Sequence, residues 1–141
     1  MPDVIAAVRE AFSLVNRPQR FAIRSPSNDD EVERANSVFA SRSPESLQAA
    51  DVGISASWPE NFLTTEACHY YMPGFVRLIL EGDAESGFSL DDFLSILSPG
   101  YILTFSHSQR AAIASALEAI RKQVDQRGRE LIDRRLKRLI T

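Results

Sequence analysis

The feature that most constrains how this chain folds is an apolar run in its middle, from Glu66 to Leu80. A stretch with so few charges must be buried, and a small domain buries it by packing other helices around it. Pro73 lies inside the run, and proline lacks the backbone donor that a helix needs at an interior position. The run therefore predicts a central helix that is interrupted at Pro73, restarts there and ends at Gly82.

Helical signals flank this run on both sides. Near the N-terminus, apolar residues recur at Val4, Val8 and Phe12, which is the spacing of one helical face. Capping boxes begin at Ser89 and Ser106, and each predicts the start of a helix. We therefore predict an all-α fold, a compact single-domain bundle of about six or seven helices with a Pro-interrupted central helix and a long C-terminal helix. The predicted core consists of Phe12, Phe39, Trp58, Phe62, Phe75, Leu78, Ile79, Phe93, Leu97, Ile113, Leu117 and Ile120.

The C-terminal segment divides the chain into two predicted parts. The last predicted helix keeps its apolar spacing as far as Val124 and then meets Gly128, which costs a helix interior about 1 kcal/mol relative to alanine. Two alternatives follow: the helix continues with a kink, or a new helix starts near Arg129. We predict a helical globular domain over residues 1–126 and a basic amphipathic C-terminal helical extension over residues 127–141.

Charge is distributed unevenly along the 141 residues. Residues 1–105 contain 7 arginines and 15 acidic residues, a net charge of −8, whereas residues 106–141 contain 9 basic and 4 acidic residues, a net charge of +5. The acidic part is expected to attract basic partners and to repel phosphate and anionic lipid. The N-terminus lacks the pattern of a signal peptide and no stretch is apolar enough to cross a membrane, so we predict a cytoplasmic protein.

Few side chains in the sequence could catalyse a reaction or bind a metal ion. The chain has one cysteine, Cys68, and two histidines, His69 and His107, and none of them lies in a metal-binding spacing. On a helix the side chains of Cys68 and His69 diverge by about 100°, which disfavours a nucleophile–base pair. Paired acidic residues occur where helices are predicted to start, and the helix dipole explains them there. The sequence therefore predicts no catalytic residue, no cofactor and no metal ion.

The candidate binding residues are charged or aromatic. Tyr70 and Tyr71 are adjacent, so on a helix only one of them faces fully inward. The other either anchors a partner together with Trp58 or covers the edge of the core with its hydroxyl in water. The predicted partner-binding residues are Asp29, Asp30, Glu31, Glu33, Tyr70, Asp91, Asp92, Arg134, Arg135, Lys137 and Arg138.

The basic amphipathic tail has several interpretations. It could contact nucleic acid, a membrane surface or an acidic partner. The net negative charge of residues 1–105 disfavours the first two, because it repels phosphate and anionic lipid. Alternatively, the tail lies on the acidic part of its own chain, or it pairs with a second copy to form a homodimer.

Several motifs resemble those of an uncharacterised bacterial family of unknown function. Family members show a Tyr-Leu-Pro motif in the core and a Phe…Gln-Arg start to the last helix. The resemblance covers roughly residues 30–123, with methionine in place of the usual leucine, a change of similar volume. It implies the same fold class, and no activity or catalytic residue is carried over from it. The matching residues are Trp58, Phe62-Leu63, Tyr70-Tyr71-Met72-Pro73, Phe105 and Gln109-Arg110.

Together these features predict a non-enzymatic cytoplasmic binding protein. The more specific hypothesis is an immunity protein that neutralises a basic toxin domain, because toxins that cleave nucleic acid are basic and complementary charge speeds association. Two alternatives stay open. One is a small hydrolase that uses His69 or His107 with an acidic partner, and the other is a nucleic-acid-associated regulator that acts through the basic C-terminal helix.

Overall fold

The central apolar run lies inside a bundle of helices in the computed structural model of the chain. The structure describes residues 2–18, 29–52, 62–82 and 88–140, and these residues form eight helices. The predicted all-α, compact single-domain bundle is confirmed, and two helices of only four residues each raise the number above six or seven. The helices are α1 (Pro2–Ala11), α2 (Asp29–Ala40), α3 (Ala49–Val52), α4 (Thr65–Glu81), α5 (Leu90–Ile96), α6 (Pro99–Ile102), α7 (His107–Arg121) and α8 (Gln126–Ile140).

The central helix is α4, and it runs without a break through Pro73. The proline removes one backbone donor but does not end the helix, so the predicted restart at this residue does not occur. Packing explains the glycine that follows Pro73, because a Cβ built on Gly74 would lie 2.6 Å from the carbonyl oxygen of Pro44. Gly74 therefore allows the turn after α2 to approach α4 closely. Within the described ranges, no helix combines the length and the apolar character needed to cross a bilayer.

The other helices pack around α4. α1 and α7 contact α4 and each other, α5 also contacts α4, and α8 packs against α5, α6 and α7. Ten of the predicted core residues are buried, Ile79 is half-buried, and Trp58 lies outside the described residues. Tyr71, Ile132 and Leu139 are also buried in this core, so α8 contributes side chains to the same core as the rest of the bundle.

The break between α7 and α8 precedes the glycine that was expected to cause it. α8 begins at Gln126, rather than after a kink at Gly128 or at a restart near Arg129. Asp125 acts as the cap, because its Oδ1 accepts a hydrogen bond from the backbone nitrogen of Gly128 at 2.9 Å. Gly128 has a packing role instead, since a Cβ there would lie 2.8 Å from the Cβ of Val124.

Candidate functional site

The single cysteine belongs to the core. Cys68 is fully buried in α4, and burial raises the pKa of its thiol far above the ordinary value. A thiol that stays protonated at neutral pH is a poor nucleophile. Tyr101 is buried as well, and its hydroxyl donates to the carbonyl oxygen of Leu63 at 2.8 Å. Both side chains therefore have a structural role near the N-terminal end of α4.

His69 is half-buried between aromatic side chains. Its ring packs edge-on against Phe12, with 5.7 Å between ring centroids, and lies 5.0 Å from the ring of Phe105. The Thr104 hydroxyl donates to the carbonyl oxygen of Tyr101 at 2.5 Å, so its oxygen accepts the Nε2 proton of His69 at 2.8 Å. Burial lowers the pKa of His69 below its ordinary value. These contacts give the neutral imidazole a packing role.

His107, the first residue of α7, is exposed beside a hollow between α7 and the end of α8. The hollow has a volume of about 180 Å³, and its other lining residues are Arg110, Ala111, Leu139 and Ile140. None of these carries a carboxylate, so the acidic partner that a histidine hydrolase needs is not supplied by the described residues at this hollow. Across the described residues, no three His, Cys, Asp or Glu side chains are grouped in a way that could hold a metal ion.

Three arginines of the acidic part of the chain are engaged in internal contacts. Arg17 donates to two carbonyl oxygens at and just after the end of α2, at 2.5 and 2.9 Å. Arg77 of α4 donates to two carbonyl oxygens of the turn that follows α2, at 3.1 and 2.6 Å. Arg42 forms an ion pair of 3.0 Å with Asp51. The Arg17 contacts satisfy carbonyl groups that the end of α2 leaves unpaired, and all three arginines make contacts within the fold.

The glutamates of the same part of the chain face solvent. Of the acidic residues predicted at the start of α2, Glu33 is exposed, while the side chains of Asp29, Asp30 and Glu31 lie outside the described part of the chain. Glu33 belongs to a set of five exposed glutamates, none of which joins an ion pair with another described residue. The described surface of residues 1–105 therefore displays more carboxylates than arginines, because Arg42 and Arg77 are half-buried and Arg9, Arg17 and Arg34 are the exposed arginines. The five are Glu10, Glu33, Glu45, Glu66 and Glu81.

The second predicted acidic pair is divided between two roles. Asp91 is exposed and lies 3.8 Å from Arg127 of α8. Asp92 is buried, and its carboxylate accepts hydrogen bonds from the backbone nitrogen and the hydroxyl of Ser89, each at 2.9 Å. This is the capping box that the sequence predicted for α5. Asp92 thus serves the helix start, and Asp91 is the member of the pair that a partner can reach.

The adjacent tyrosines separate as expected, with Tyr71 in the core and Tyr70 half-buried. Arg17 lies over the ring of Tyr70, with Cζ 5.6 Å from the ring centroid, and donates to its hydroxyl at 3.4 Å. This hydrogen bond raises the pKa of Arg17. The Tyr71 hydroxyl donates to the carbonyl groups of Phe39 and Arg42, and burial raises the pKa of Tyr71 to about 12. A partner that meets Tyr70 would therefore meet Arg17 with it.

The basic residues of α8 also divide into two groups. Arg134, Lys137 and Arg138 are exposed along the outer side of the helix. Arg135 turns toward the bundle, where it donates to the carbonyl oxygen of Leu94 at 3.2 Å and leaves its buried Nε without a hydrogen-bond partner among the described residues. Burial lowers the pKa of Arg135, and the positive charges of Arg138 and Arg134 lower it further. Three of the four predicted basic residues are thus displayed to a partner.

A further surface consists of apolar side chains that face water. Leu14, Leu103 and Ile140 have exposed fractions of 95%, 78% and 75%. Leu14 lines a groove between α1 and α7 together with Ser106, the N-cap of α7, and Leu103 precedes Ser106 by three residues. Ile140 lines the hollow beside His107. All three therefore surround the start of α7, and we refer to Leu14, Leu103, Ile140 and the groove and hollow between them as the α7-start surface.

None of the residues that define the α7-start surface is among the predicted partner-binding residues. Leu14 lies outside the apolar stripe of Val4, Val8, Phe12 and Val15, and Ile140 directly follows the buried Leu139. On a helix, two consecutive apolar residues cannot both face the core fully, so one of them must be turned toward the edge. A large apolar residue out of phase with its helical stripe is the signal that could have identified this surface.

Comparisons with known proteins identify no relative of this chain. No protein-family model, no curated protein and no solved structure matches the chain. The resemblance to an uncharacterised bacterial family thus stays a prediction that depends on its motif residues.

Proposed function

We propose that this chain is a non-enzymatic cytoplasmic binding protein that holds a basic protein partner and, in the more specific form, an immunity protein that neutralises a basic toxin domain. The observation that carries the proposal is that arginines and glutamates within residues 1–105 differ in their contacts. Arg17, Arg42 and Arg77 are committed to carbonyl groups or to an ion pair, whereas five glutamates face solvent. An exposed excess of carboxylates supports recognition of a basic surface.

The positions of the reactive side chains favour binding over hydrolysis. Cys68 is buried with a raised pKa, and His69 donates its Nε2 proton to Thr104 within an aromatic cluster. His107 lines a hollow whose other described residues carry no carboxylate. General acid–base catalysis needs a base and an acid at one cavity, within hydrogen-bond reach of the substrate. The histidine hydrolase is therefore the weaker candidate.

Complementary charge would act mainly on the association rate. Electrostatic steering can raise association rate constants toward about 10⁸ M⁻¹s⁻¹, and the effect falls as salt is added. Fast capture suits an inhibitor whose target is harmful in the same cell that makes it. A toxin domain that cleaves nucleic acid presents its basic surface to phosphate, so an acidic protein bound there blocks the substrate.

The first experiment asks whether a partner of this chemistry exists. The tagged full chain is co-expressed with the product of the adjacent gene, and the purified material is examined for a stoichiometric complex. We expect a basic protein with a toxin-like domain to co-purify and to lose its toxicity in the complex. If no neighbouring gene encodes such a domain, the immunity form of the proposal fails.

The second experiment tests whether the exposed glutamates guide association. α1 and α2 each carry an exposed glutamate next to an exposed arginine, Glu10 beside Arg9 and Glu33 beside Arg34. Replacing both glutamates with glutamine is expected to slow association with the basic partner severalfold at low salt. The matched control replaces both arginines with glutamine, and it is expected to speed association. Stopped-flow measurements check both, and equal rates for the two variants would contradict a role for this surface.

A second candidate function has one specific observation in its favour. Arg134, Lys137 and Arg138 are exposed along the outer side of α8, as a contact with nucleic-acid phosphates requires. A regulator of this kind would retard DNA or RNA in a gel at low salt, and replacing the three residues with glutamine would abolish the shift. Absence of any salt-sensitive binding would exclude it.

A further inference from the structure

The groove between α1 and α7 on the α7-start surface is formed by one side of each helix. Ala7, Glu10 and Ala11 of α1, together with Leu14 just after it, line the groove at the spacing of residues that share one helical face. Residues 108, 111, 112 and 115 line it from α7 at the same spacing. The groove has a volume of about 780 Å³ and follows two turns of each helix, about 10 Å. A short helix fits a groove of this length and direction.

Glu10 gives this groove a negative charge. Its carboxylate is exposed and forms no ion pair with another described residue. The neighbouring Arg9 does not line the groove, because consecutive side chains on a helix diverge by about 100°. Arg110 of α7 lines the hollow on the other side of that helix and donates to the carbonyl oxygen of Phe105 at 3.3 Å. Among the described residues that line the groove, no positive charge therefore balances Glu10.

The charge and the apolar wall of the groove together select its occupant. Leu14 forms part of the wall with an exposed fraction of 95%, so an apolar side chain that packs on it removes apolar surface from water. Covering the groove also removes the Glu10 carboxylate from part of its water, which is costly for an unpaired charge. A lysine or arginine opposite Glu10 offsets that cost, whereas an acidic segment would bring two carboxylates together.

We propose that the groove between α1 and α7 is where the basic partner binds, and that it receives a helix whose lysine or arginine pairs with Glu10 and whose large apolar side chain packs on Leu14. This inference rests on the proposed function and gives it a location. Glu10 then makes a direct contact, which acts mainly on the dissociation rate. Exposed glutamates away from the groove, such as Glu33 of α2, act on the association rate through the field of the protein.

The test uses a synthetic amphipathic peptide of leucine and lysine as the probe, titrated into the isotope-labelled full chain and followed by NMR. We expect saturable shifts of the backbone amides of α1 and of the first half of α7, and binding that weakens as salt is added, because an ion pair contributes to it. A peptide with glutamate in place of every lysine is the control and is expected not to bind. No saturable binding of the lysine peptide, equal binding of the glutamate peptide, or shifts centred on other helices would overturn the proposal.

Two matched pairs of variants separate direct contact from long-range attraction. Glu10→Gln is expected to raise the Kd of the lysine peptide at least about fivefold, and Glu33→Gln, which removes the same charge from α2, by less than about twofold. Ala7→Arg places a bulky cation in the groove and is expected to weaken binding in the same way, whereas Ala6→Arg adds that side chain outside the groove. All four positions are exposed, so the variants keep the fold. Equal effects within either pair would overturn the proposal.

Co-purification distinguishes failure of this site from failure of the proposed function. A basic protein that co-purifies with the chain but binds the Ala7→Arg variant as tightly as the wild-type chain would contradict the groove and leave the proposed function standing. A lysine peptide that occupies the groove, when no basic protein co-purifies, would support the groove as a site for basic helices and contradict the proposed function.

Discussion

Gly74 lies at the closest approach between α4 and the turn after α2. A Cβ at this position would lie 2.6 Å from the carbonyl oxygen of Pro44 and 3.2 Å from its Cα. Both are backbone atoms, so the clash cannot be relieved by rotating a side chain. Arg77 and Tyr71 hold the same segment by hydrogen bonds to its carbonyl groups, which further limits how far it can shift.

The substitution Gly74→Ala is therefore expected to destabilise the protein. Helix propensity alone would favour alanine by about 1 kcal/mol, whereas forcing an extra methyl group into a packed contact costs about 1–3 kcal/mol. We expect the free energy of unfolding to fall by up to about 2 kcal/mol, measured by urea denaturation with the slope unchanged. An equal or higher free energy of unfolding would show that the Pro44 backbone yields to the methyl group.

His69 makes the stability of the fold depend on pH. Burial lowers its pKa in the folded state, and the nearby carboxylate of Glu66 offsets part of that shift. The unfolded chain, with a histidine pKa near 6.5, therefore binds a proton at His69 more readily than the folded chain does. The contribution of His69 to the free energy of unfolding is complete above about pH 6.5 and is lost as the pH falls toward the folded pKa. The measurement is an NMR titration of the His69 ring, which is expected to give a midpoint below about 6.5.

A variant provides the control for this pH dependence. Thr104 accepts the Nε2 proton of His69, and a glutamine amide at position 69 can donate to the same oxygen without titrating. His69→Gln should therefore lose less stability than the wild-type chain between about pH 7.5 and pH 5. Equal losses in the two proteins, or a His69 midpoint at or above the ordinary value, would contradict the burial argument.

At the scale of helices, local signals predicted the starts well. Ser89 and Ser106 begin α5 and α7 with both hydrogen bonds of the capping box. These signals involve residues three apart, so a single sequence contains them completely. The break between α7 and α8 was located less well, because Gly128 was interpreted as a helix breaker. Its actual role is a close contact with Val124 across the link, which only the folded structure contains.

Asp125 is expected to control the start of α8. Its carboxylate accepts a hydrogen bond from the backbone nitrogen of Gly128 at 2.9 Å, which satisfies one of the donors that a helix start leaves free. Asp125→Ala should lower the free energy of unfolding by about 1 kcal/mol. Asp125→Asn keeps an accepting oxygen and is the control, with a loss of only a few tenths of a kcal/mol. Chemical denaturation measures both, and losses of equal size would show that the cap contributes nothing through this bond.

At the scale of the whole molecule, the fold class and most of the core followed from apolar periodicity. The exposed binding surfaces were predicted less well, because the distribution of charge along the sequence does not determine the direction of each charged side chain. Arg135 was expected to face a partner, and it turns inward to Leu94. Arg17 and Arg77 bind carbonyl groups of segments more than 20 residues away, a contact that no local pattern encodes. The exposure of Leu14 likewise depends on how α1 ends against α7.

The predicted division at residues 126 and 127 can be tested by removing residues 127–141. Ile132 and Leu139 are buried in the common core, and burial of such a side chain contributes about 1.5–3 kcal/mol each. Their joint loss, about 3–6 kcal/mol, is a large part of the stability of an ordinary domain, about 5–15 kcal/mol. We therefore expect the shortened chain to melt at a much lower temperature and to bind an apolar dye. Arg134→Gln in the full chain is the control for lost charge, with a change within about 0.5 kcal/mol. A shortened chain with wild-type thermal stability would instead establish residues 1–126 as an independent domain.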